Sequence, residues 1–444
     1  MKPLSGFSKL PKRKKLQWVV ENFFQNPDQV AREMMSYWHT NEAQQQVFDD
    51  FSENTLSNYF LPFGVAPNFV INGKQYVVPM VIEESSVVAA ASSGAKFWAE
   101  RGGFKAEILG MKKVGQVHFE WFGKPEHLKA AFPLLRKELF DKTQHLTESM
   151  RARGGGILDV ELIDLTAREP NLYQLRATFH TCDSMGANFV NTVLEQMGSD
   201  LQAFCMAYPD FTDTEREANV IMCILSNYTP ECLVRVTAQC PLAALGSFDG
   251  GISAEQFAYK FAKAIRIAHI DPYRATTHNK GIFNGIDSVV LATANDFRAI
   301  EACGHTYAAR SGSYSSLTHC EVKDDWFRFW IDLPLAVGTV GGLTSLHPLA
   351  KRSLELLGNP SAEELMMVIA ATGLAQNFSA LRALVTSGIQ KGHMKMHLTN
   401  ILKHFMATAT EMEAAQAHFT NKVVSFSGVR VFLTDFRNNL TVVQ

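Results

Sequence analysis

The sequence has little of what would mark a secreted, membrane-spanning or nucleic-acid-binding chain. Its seven cysteines, at 182, 205, 223, 232, 240, 303 and 320, are odd in number and form no C-x-x-C pair. Neither a disulfide framework nor a zinc knuckle is therefore expected. There is no run of about 18 or more apolar residues and no basic-then-apolar leader, so no membrane span or signal peptide is expected. Against 44 acidic residues stand 42 basic ones, a net charge of −2 with no field for a nucleic-acid backbone. The one dense basic cluster, Lys9 to Lys15, reads as a solvated arm, then as a contact for a phosphorylated ligand, and last as a membrane or nucleic-acid patch. Internal repeats and low-complexity tracts are absent. These absences lead us to expect a soluble, cytoplasmic protein of a reducing compartment.

At 444 residues the chain exceeds what one core usually supports, so two or three domains are expected. Asn72-Gly73 between apolar runs reads as a tight hairpin turn, with a helix to follow over about 85–101. Between 113 and 228 the pattern changes. Strands at 116–121, 157–163, 173–180 and 220–225 alternate with helices over 125–145 and 187–204, giving β-α-β-β-α-β, the ferredoxin-like order. Ser253-x-x-Gln256 and Ser361-x-x-Glu364 have the form of capping boxes. Gly338-Thr-Val-Gly-Gly-Leu343 is a glycine-rich break. From Gln390 on, the chain reads as helix then strand, forming a flap.

Four segments carry chemistry. Asp271-Pro-Tyr-Arg274-Ala-Thr-Thr-His-Asn-Lys280-Gly-Ile-Phe-Asn284-Gly-Ile-Asp287, followed by Asn295-Asp296, crowds charge into an apolar, helix-forming neighbourhood. A lysine beside a carboxylate in a dry cleft can stabilise an oxyanion, and an arginine can grip a carboxylate with two prongs. Glu83-Glu84 directly precedes a small-residue helix. It is either a pair of helix-start acids favoured by the macrodipole or a buried proton donor with a raised pKa. Thr181-Cys-Asp183-Ser-Met185-Gly186-Ala-Asn188 lies where a strand turns into a helix, a setting that suits an anion; it is not G-x-G-x-x-G. Gln390-Lys-Gly392-His393-Met-Lys-Met-His397 has H-x-x-x-H spacing, but Met394 stands where a zinc protease needs Glu, so no metal site is expected. A single histidine acting as an acid past a flexible glycine is the better reading.

Together these segments resemble hydroxymethylglutaryl-CoA reductase, in its soluble bacterial class II form. The likeness covers about 51–397 and includes Gly373-Leu-Ala-Gln376-Asn. Ser184 stands where the family usually has Ala, and Ala294 where Gly often precedes Asn-Asp. The resemblance implies an α+β fold: a large mixed α/β CoA and substrate domain (1–112 and 229–388), an inserted ferredoxin-like dinucleotide domain (113–228) and a C-terminal helical flap (389–444). It implies interconversion of hydroxymethylglutaryl-CoA and mevalonate plus coenzyme A through two hydride transfers, a step of isoprenoid biosynthesis or of mevalonate breakdown. Lys280 would stabilise the oxyanion, held by Asp296. Glu84 would supply a proton, and His393 would protonate the CoA thiolate. Ser86, Arg274, Asn284, Asn227 and Gln376 would bind substrate. Asp183, Met185, Gly186, Asn188 and Thr147 would line the cofactor, NADPH being favoured over NADH. The site would lie at the subunit interface of a homodimer or higher homo-oligomer. Two readings compete: an acyl transferase or hydrolase using Cys182, and a non-catalytic interaction protein that kept the fold.

Overall fold

The structure, a computed structural model, describes residues 5–386, 398–420, 422 and 424–441. Three short helices lead in: α1 (Lys12–Phe23), α2 (Pro27–Ser36) and α3 (Glu42–Asp49). β1 (Phe63–Ile71) and β2 (Lys74–Val81) then form the expected hairpin, with Ile71 opposite Lys74. Asn72 and Gly73 take positive φ of 50° and 81°. That is the backbone a two-residue turn needs to follow the strand twist, and Asn-Gly adopts it at least strain.

α4 (Val87–Ala99) and β3 (Phe104–Ile108) precede a second unit made of β4 (Lys113–Trp121), α5 (Pro125–Arg151), β5 (Gly156–Asp164), β6 (Leu172–His180), α6 (Ala187–Ala207) and β7 (Ala218–Ser226). Its sheet has the order β5-β6-β4-β7, antiparallel throughout. This is the β-α-β-β-α-β arrangement read from the sequence. Every second residue of β4, including Val117, Phe119 and Trp121, is buried. These residues meet Leu128, Leu135 and Leu139 of α5 and Val193, Leu194 and Leu201 of α6 in one apolar cluster.

The chain returns through β8 (Leu233–Pro241), α7 (Ala254–Ile270), α8 (Pro272–Ala292), α9 (Phe297–Ala308), β9 (Thr318–Lys323) and β10 (Trp326–Pro334). It then forms α10 (Leu343–Leu346), α11 (Pro348–Leu356) and α12 (Ala362–Val385). The larger sheet runs β2-β1-β3-β8-β10-β9, with only the β1–β3 contact parallel. Both capping boxes are present, opening α7 and α12. α12 is long and apolar enough to cross a membrane, yet 72% of its apolar window is buried inside the protein. It is the central core helix. Phe378 packs against Trp98 at 5.2 Å between ring centroids and lies in the same cluster as Phe257 and Phe327. At Gly285 of α8 a Cβ would meet Thr372 O at 2.8 Å and the Gln376 Cβ at 2.9 Å. Glycine there lets α8 lie directly on α12, which sets where the side chains of α8 emerge.

One expectation fails. Among the described residues after 397 there is no strand: 398–404, Ala409–His418 and Phe426–Thr441 are helical. Val429 and Leu433, four apart, pack with Leu398, Ile401 and Phe419 in a separate small cluster. Helical spacing of the apolar residues overrides their β propensity.

Candidate active site

Asp271 caps α8, accepting from Tyr273 N at 3.0 Å, and Pro272 occupies the first turn. Lys280, Asn284, Asp287 and Leu291 then form a stripe that is not buried, while the residues between them, Gly281 apart, are buried. At the first end of this stripe, Lys280 Nζ lies 2.8 Å from Glu84 Oε2, and Asn284 Nδ2 donates to the same oxygen at 3.3 Å. Glu84 belongs to the β2–α4 connection. Its side chain is 41% exposed and that of Lys280 62%, so of the two readings of Glu84 the buried one is not met in the single chain. The reason is geometric: the connection and this stripe of α8 both face outward.

Ser86 takes a left-handed φ of 79° at the start of α4, and its hydroxyl makes no capping bond. That strain, about 1–2 kcal/mol for a residue with a Cβ, leaves a hydroxyl available two residues from Glu84. Arg274 is half-buried, and desolvation pulls its pKa below the usual guanidinium range. Among the described residues it meets no carboxylate within 4.0 Å. Gln376 is buried on α12 where α12 crosses α8, and its Oε1 has no partner among the described residues. A buried acceptor in that state calls for a ligand or water. Asp287 is pushed above the ordinary carboxylate range, first by burial and then by Glu301 of α9.

At the far end of α8 lies a second region, a cleft of about 910 Å³. Met185, Gly186 and Asn188 line one wall, Asn295, Asp296 and Arg298 another, and the glycine-rich 338–344 loop a third. Gly186, at φ 91°, precedes α6 with no side chain to cap its first N–H groups. Those groups and the helix dipole suit an anion. Asn295 and Gly338 exchange two hydrogen bonds, at 2.8 and 3.0 Å. A Cβ on Gly338 would meet Met185 N at 2.5 Å, so only glycine lets this loop close on the turn. Ala294 holds a left-handed φ of 53°.

Four sequence readings of residue placement change. Asp296 is not beside Lys280. It caps α9 through the N–H groups of Arg298 and Ala299 and pairs with Arg298 Nη2 at 3.0 Å. Lys280 and Ala292 are about 18 Å apart along α8 at about 1.5 Å per residue, and Asp296 lies beyond Ala292. Asp183 does not line the cleft. Its Oδ1 accepts Ala362 N of α12 at 2.7 Å, and its carbonyl accepts Thr339 N at 2.8 Å. Thr147 is buried inside α5, its hydroxyl donating to Gln144 O at 3.0 Å. Asn227 sits with the turn before α6, in a small cavity shared with Lys113 and Gly186. His393 and the rest of 387–397 lie outside the described residues. The sequence reading missed Arg153, Asn295 and Arg298 as cleft residues. The Arg153-Gly-Gly-Gly156 run just past α5 was the available signal for the first. Cys182 donates its thiol proton to Arg153 O at 3.2 Å and stands 3.9 Å from His180 Nδ1. Among the described residues no cluster of three or more His, Cys, Asp or Glu could hold a metal ion.

The chain matches the sequence family Hydroxymethylglutaryl-coenzyme A reductase over residues 13–398. It is 38% identical to 3-hydroxy-3-methylglutaryl-coenzyme A reductase of Archaeoglobus fulgidus, over 92% of this chain and 89% of that one. Among solved structures it resembles the class II 3-hydroxy-3-methylglutaryl-CoA reductase of Streptococcus pneumoniae bound to NADPH in open conformations. The TM-score is 0.70 and the identity 33%, over 92% of this chain and 99% of that one. Another structure of the enzyme from the same organism aligns at a TM-score of 0.71 and 32% identity, covering 98% and 100%. With the family match running over most of the chain and the fold shared with these solved structures, this chain belongs to the hydroxymethylglutaryl-CoA reductase family, and to its class II type.

Proposed function

We propose that this chain reduces hydroxymethylglutaryl-CoA to mevalonate and coenzyme A, or runs the reverse reaction, and that Lys280, Glu84, Asp296 and His393 carry the chemistry. The supporting observation is the Lys280–Glu84 pair at 2.8 Å with Asn284 on the same carboxylate oxygen. NADPH or NADH, bound in the cleft by Met185, Gly186 and Asn188, supplies a hydride for each of the two reductions. The uncapped start of α6 and the glycine loop fit such a dinucleotide. Arg274 holds the substrate carboxylate, with Ser86, Asn284 and Gln376 on its other polar groups. Lys280 meets the oxygen that becomes negative when the thioester carbon accepts hydride. When the hemithioacetal collapses, the C–S bond breaks and His393 gives a proton to the departing thiolate. Glu84 then delivers a proton to the aldehyde oxygen as its carbon accepts the second hydride.

The distance along α8 between Lys280 and Asp296 supports a composite site, with the substrate end of one subunit facing the cofactor end of its partner in a homodimer or larger homo-oligomer. Asp296 and Asn227 then come from the second subunit. On this reading 1–112 with 229–388 forms the substrate domain, 113–228 the cofactor domain and 389–444 the flap that brings His393.

The test is oxidation of NADPH by the purified protein with hydroxymethylglutaryl-CoA, and with free mevaldehyde, in wild type and His393→Gln. His393→Gln should impair thioester reduction far more than mevaldehyde reduction, because only the former expels a thiolate. No cofactor oxidation with either substrate would end the proposal, and equal losses on both would end the role of His393.

A further inference from the structure

Lys113 lies on the wrong side of its strand. It is the first residue of β4, on the face that carries Val117, Phe119 and Trp121 into the apolar core, and only 5% of it is exposed. Its ammonium donates to Thr181 Oγ1 at 2.6 Å and to Ser184 O at 2.7 Å, directly beneath the turn that leads into α6. Among the described residues no carboxylate lies within 4.0 Å of it. The one acid of the turn, Asp183, turns its carboxylate to Ala362 N. The other titratable groups near the ammonium are the thiols of Cys182 and Cys232.

The turn does not need this lysine to close. Ser184 N donates to Thr181 O at 3.1 Å, Ser184 Oγ to the same oxygen at 2.9 Å, and Thr181 Oγ1 to Ser184 O at 2.7 Å. A neutral donor would satisfy the same acceptors without desolvating a full charge, which is the costly part of the arrangement. The charge is therefore surplus to folding. It lies behind the uncapped N-terminus of α6, so two sources of positive potential converge on one turn, in surroundings of low dielectric. Burial also draws the Lys113 pKa down, the state of a cation lacking its counter-ion.

We infer that Lys113 is a positioning residue of the cofactor site, a buried charge that holds the diphosphate of the dinucleotide at the 181–186 turn without touching it. This rests on the reading above that the turn takes a nicotinamide dinucleotide.

NADPH binding is measured by calorimetry on wild type, Lys113→Met and Lys113→Gln, with steady-state kinetics and thermal unfolding alongside. Lys113→Met should raise the Kd for NADPH by about tenfold or more, equivalent to about 1.4 kcal/mol. It should leave kcat at saturating cofactor and the KM for hydroxymethylglutaryl-CoA within about threefold, with no fall in Tm, since a desolvated charge has been removed. Lys113→Gln, which can still donate to Thr181 and Ser184 but carries no charge, should lose the same affinity; it also serves if the methionine variant fails to fold. An NADPH Kd within about twofold of wild type in either variant overturns the inference, as does full affinity in the glutamine variant alone. So does a joint loss of affinity, thioester KM and Tm, which marks a packing role. If wild type itself binds no NADPH, the reading of the cleft fails and this inference falls with it.

Discussion

The two ends of α8 solve different problems with different materials. At the Lys280 end the work falls to side chains: a lysine, an amide and a carboxylate within hydrogen-bond distance, all at least partly exposed in the single chain. At the Asp296 end it falls to the backbone. The start of α6 is uncapped, a glycine loop closes on it, Lys113 is buried below, and of the lining charges Asp296 pairs with Arg298 while Arg153 has no carboxylate within 4.0 Å among the described residues. An exposed ion pair contributes little to stability, about 0–1 kcal/mol. On the proposed reading a substrate can part Lys280 from Glu84 at little cost, whereas the 181–186 turn is tied by its own hydrogen bonds.

The sharpest break of that comparison is Lys280→Ala. It should reduce turnover of the thioester by about a hundredfold or more, roughly 3 kcal/mol at the transition state, while Tm and NADPH affinity stay near wild type. Turnover above about a tenth of wild type would remove Lys280 from the oxyanion. The next test asks whether the two ends belong to one site. Lys280→Ala and Asp296→Ala, each nearly inactive alone, are unfolded, mixed in equal amounts and refolded together. If the site is composite across a dimer, half the chains pair as heterodimers, each with one intact site. Activity then returns to about a quarter of wild type by random pairing. A mixture as inactive as its parents would place both residues in one subunit's site and require a rearrangement along α8.

What was legible in the sequence follows the same division. The hairpin at Asn72-Gly73, the capping boxes and the ferredoxin-like order are local signals, and the structure carries each of them. Glu84, Lys280 and Asn284 stood out in the sequence as polar side chains in an apolar setting, and the structure brings the three together. Direction was not legible. Nothing local says that the Asp183 carboxylate turns to the N-terminus of α12 rather than into the cleft. Thr147 is different, because the information was present. Leu139, Thr143 and Thr147 recur every four residues and continue the buried stripe of α5, so periodicity alone placed Thr147 inward. The strand expected after the helix in the last part of the chain was misread because Val429 and Phe432 favour strands by type, while the spacing of the apolar residues there is helical.

Midway between the ends, Asp287 offers a smaller test. Burial, and after it Glu301, holds its carboxyl above the ordinary carboxylate range, and its Oδ1 has no partner among the described residues. The folded chain keeps the proton where the unfolded chain has released it. Stability is therefore full below the unfolded value, near 3.8, and is lost as pH rises toward the raised folded value. Asp287→Asn removes that loss, so its Tm advantage over wild type should widen steadily between about pH 5 and pH 8. A constant difference in Tm across that range would mean that Asp287 ionises normally in the folded protein.

The finest distinction concerns which cofactor the backbone-built end prefers. Three charged residues line the cleft: Arg153, Asp296 and Arg298. Arg298 is paired with Asp296 at 3.0 Å, which leaves Arg153 as the lining cation with no carboxylate within 4.0 Å among the described residues. Its Nε is held by Ser149 O at 3.2 Å, so the guanidinium is anchored at the end of α5 with donors to spare. Selectivity for NADPH requires a cation or neutral donor at the 2′-phosphate, whereas selectivity for NADH requires an acid at the ribose diol. Arg153 therefore replaces Thr147 as the residue expected to favour NADPH. Arg153→Ala should lower kcat/KM for NADPH by about fivefold to tenfold and change that for NADH by less than about twofold, since only the former carries the phosphate that a guanidinium grips. Equal losses with both cofactors would assign Arg153 to the shared diphosphate. A wild-type enzyme that favours NADH by about tenfold would show that an acid faces the ribose in place of Arg153.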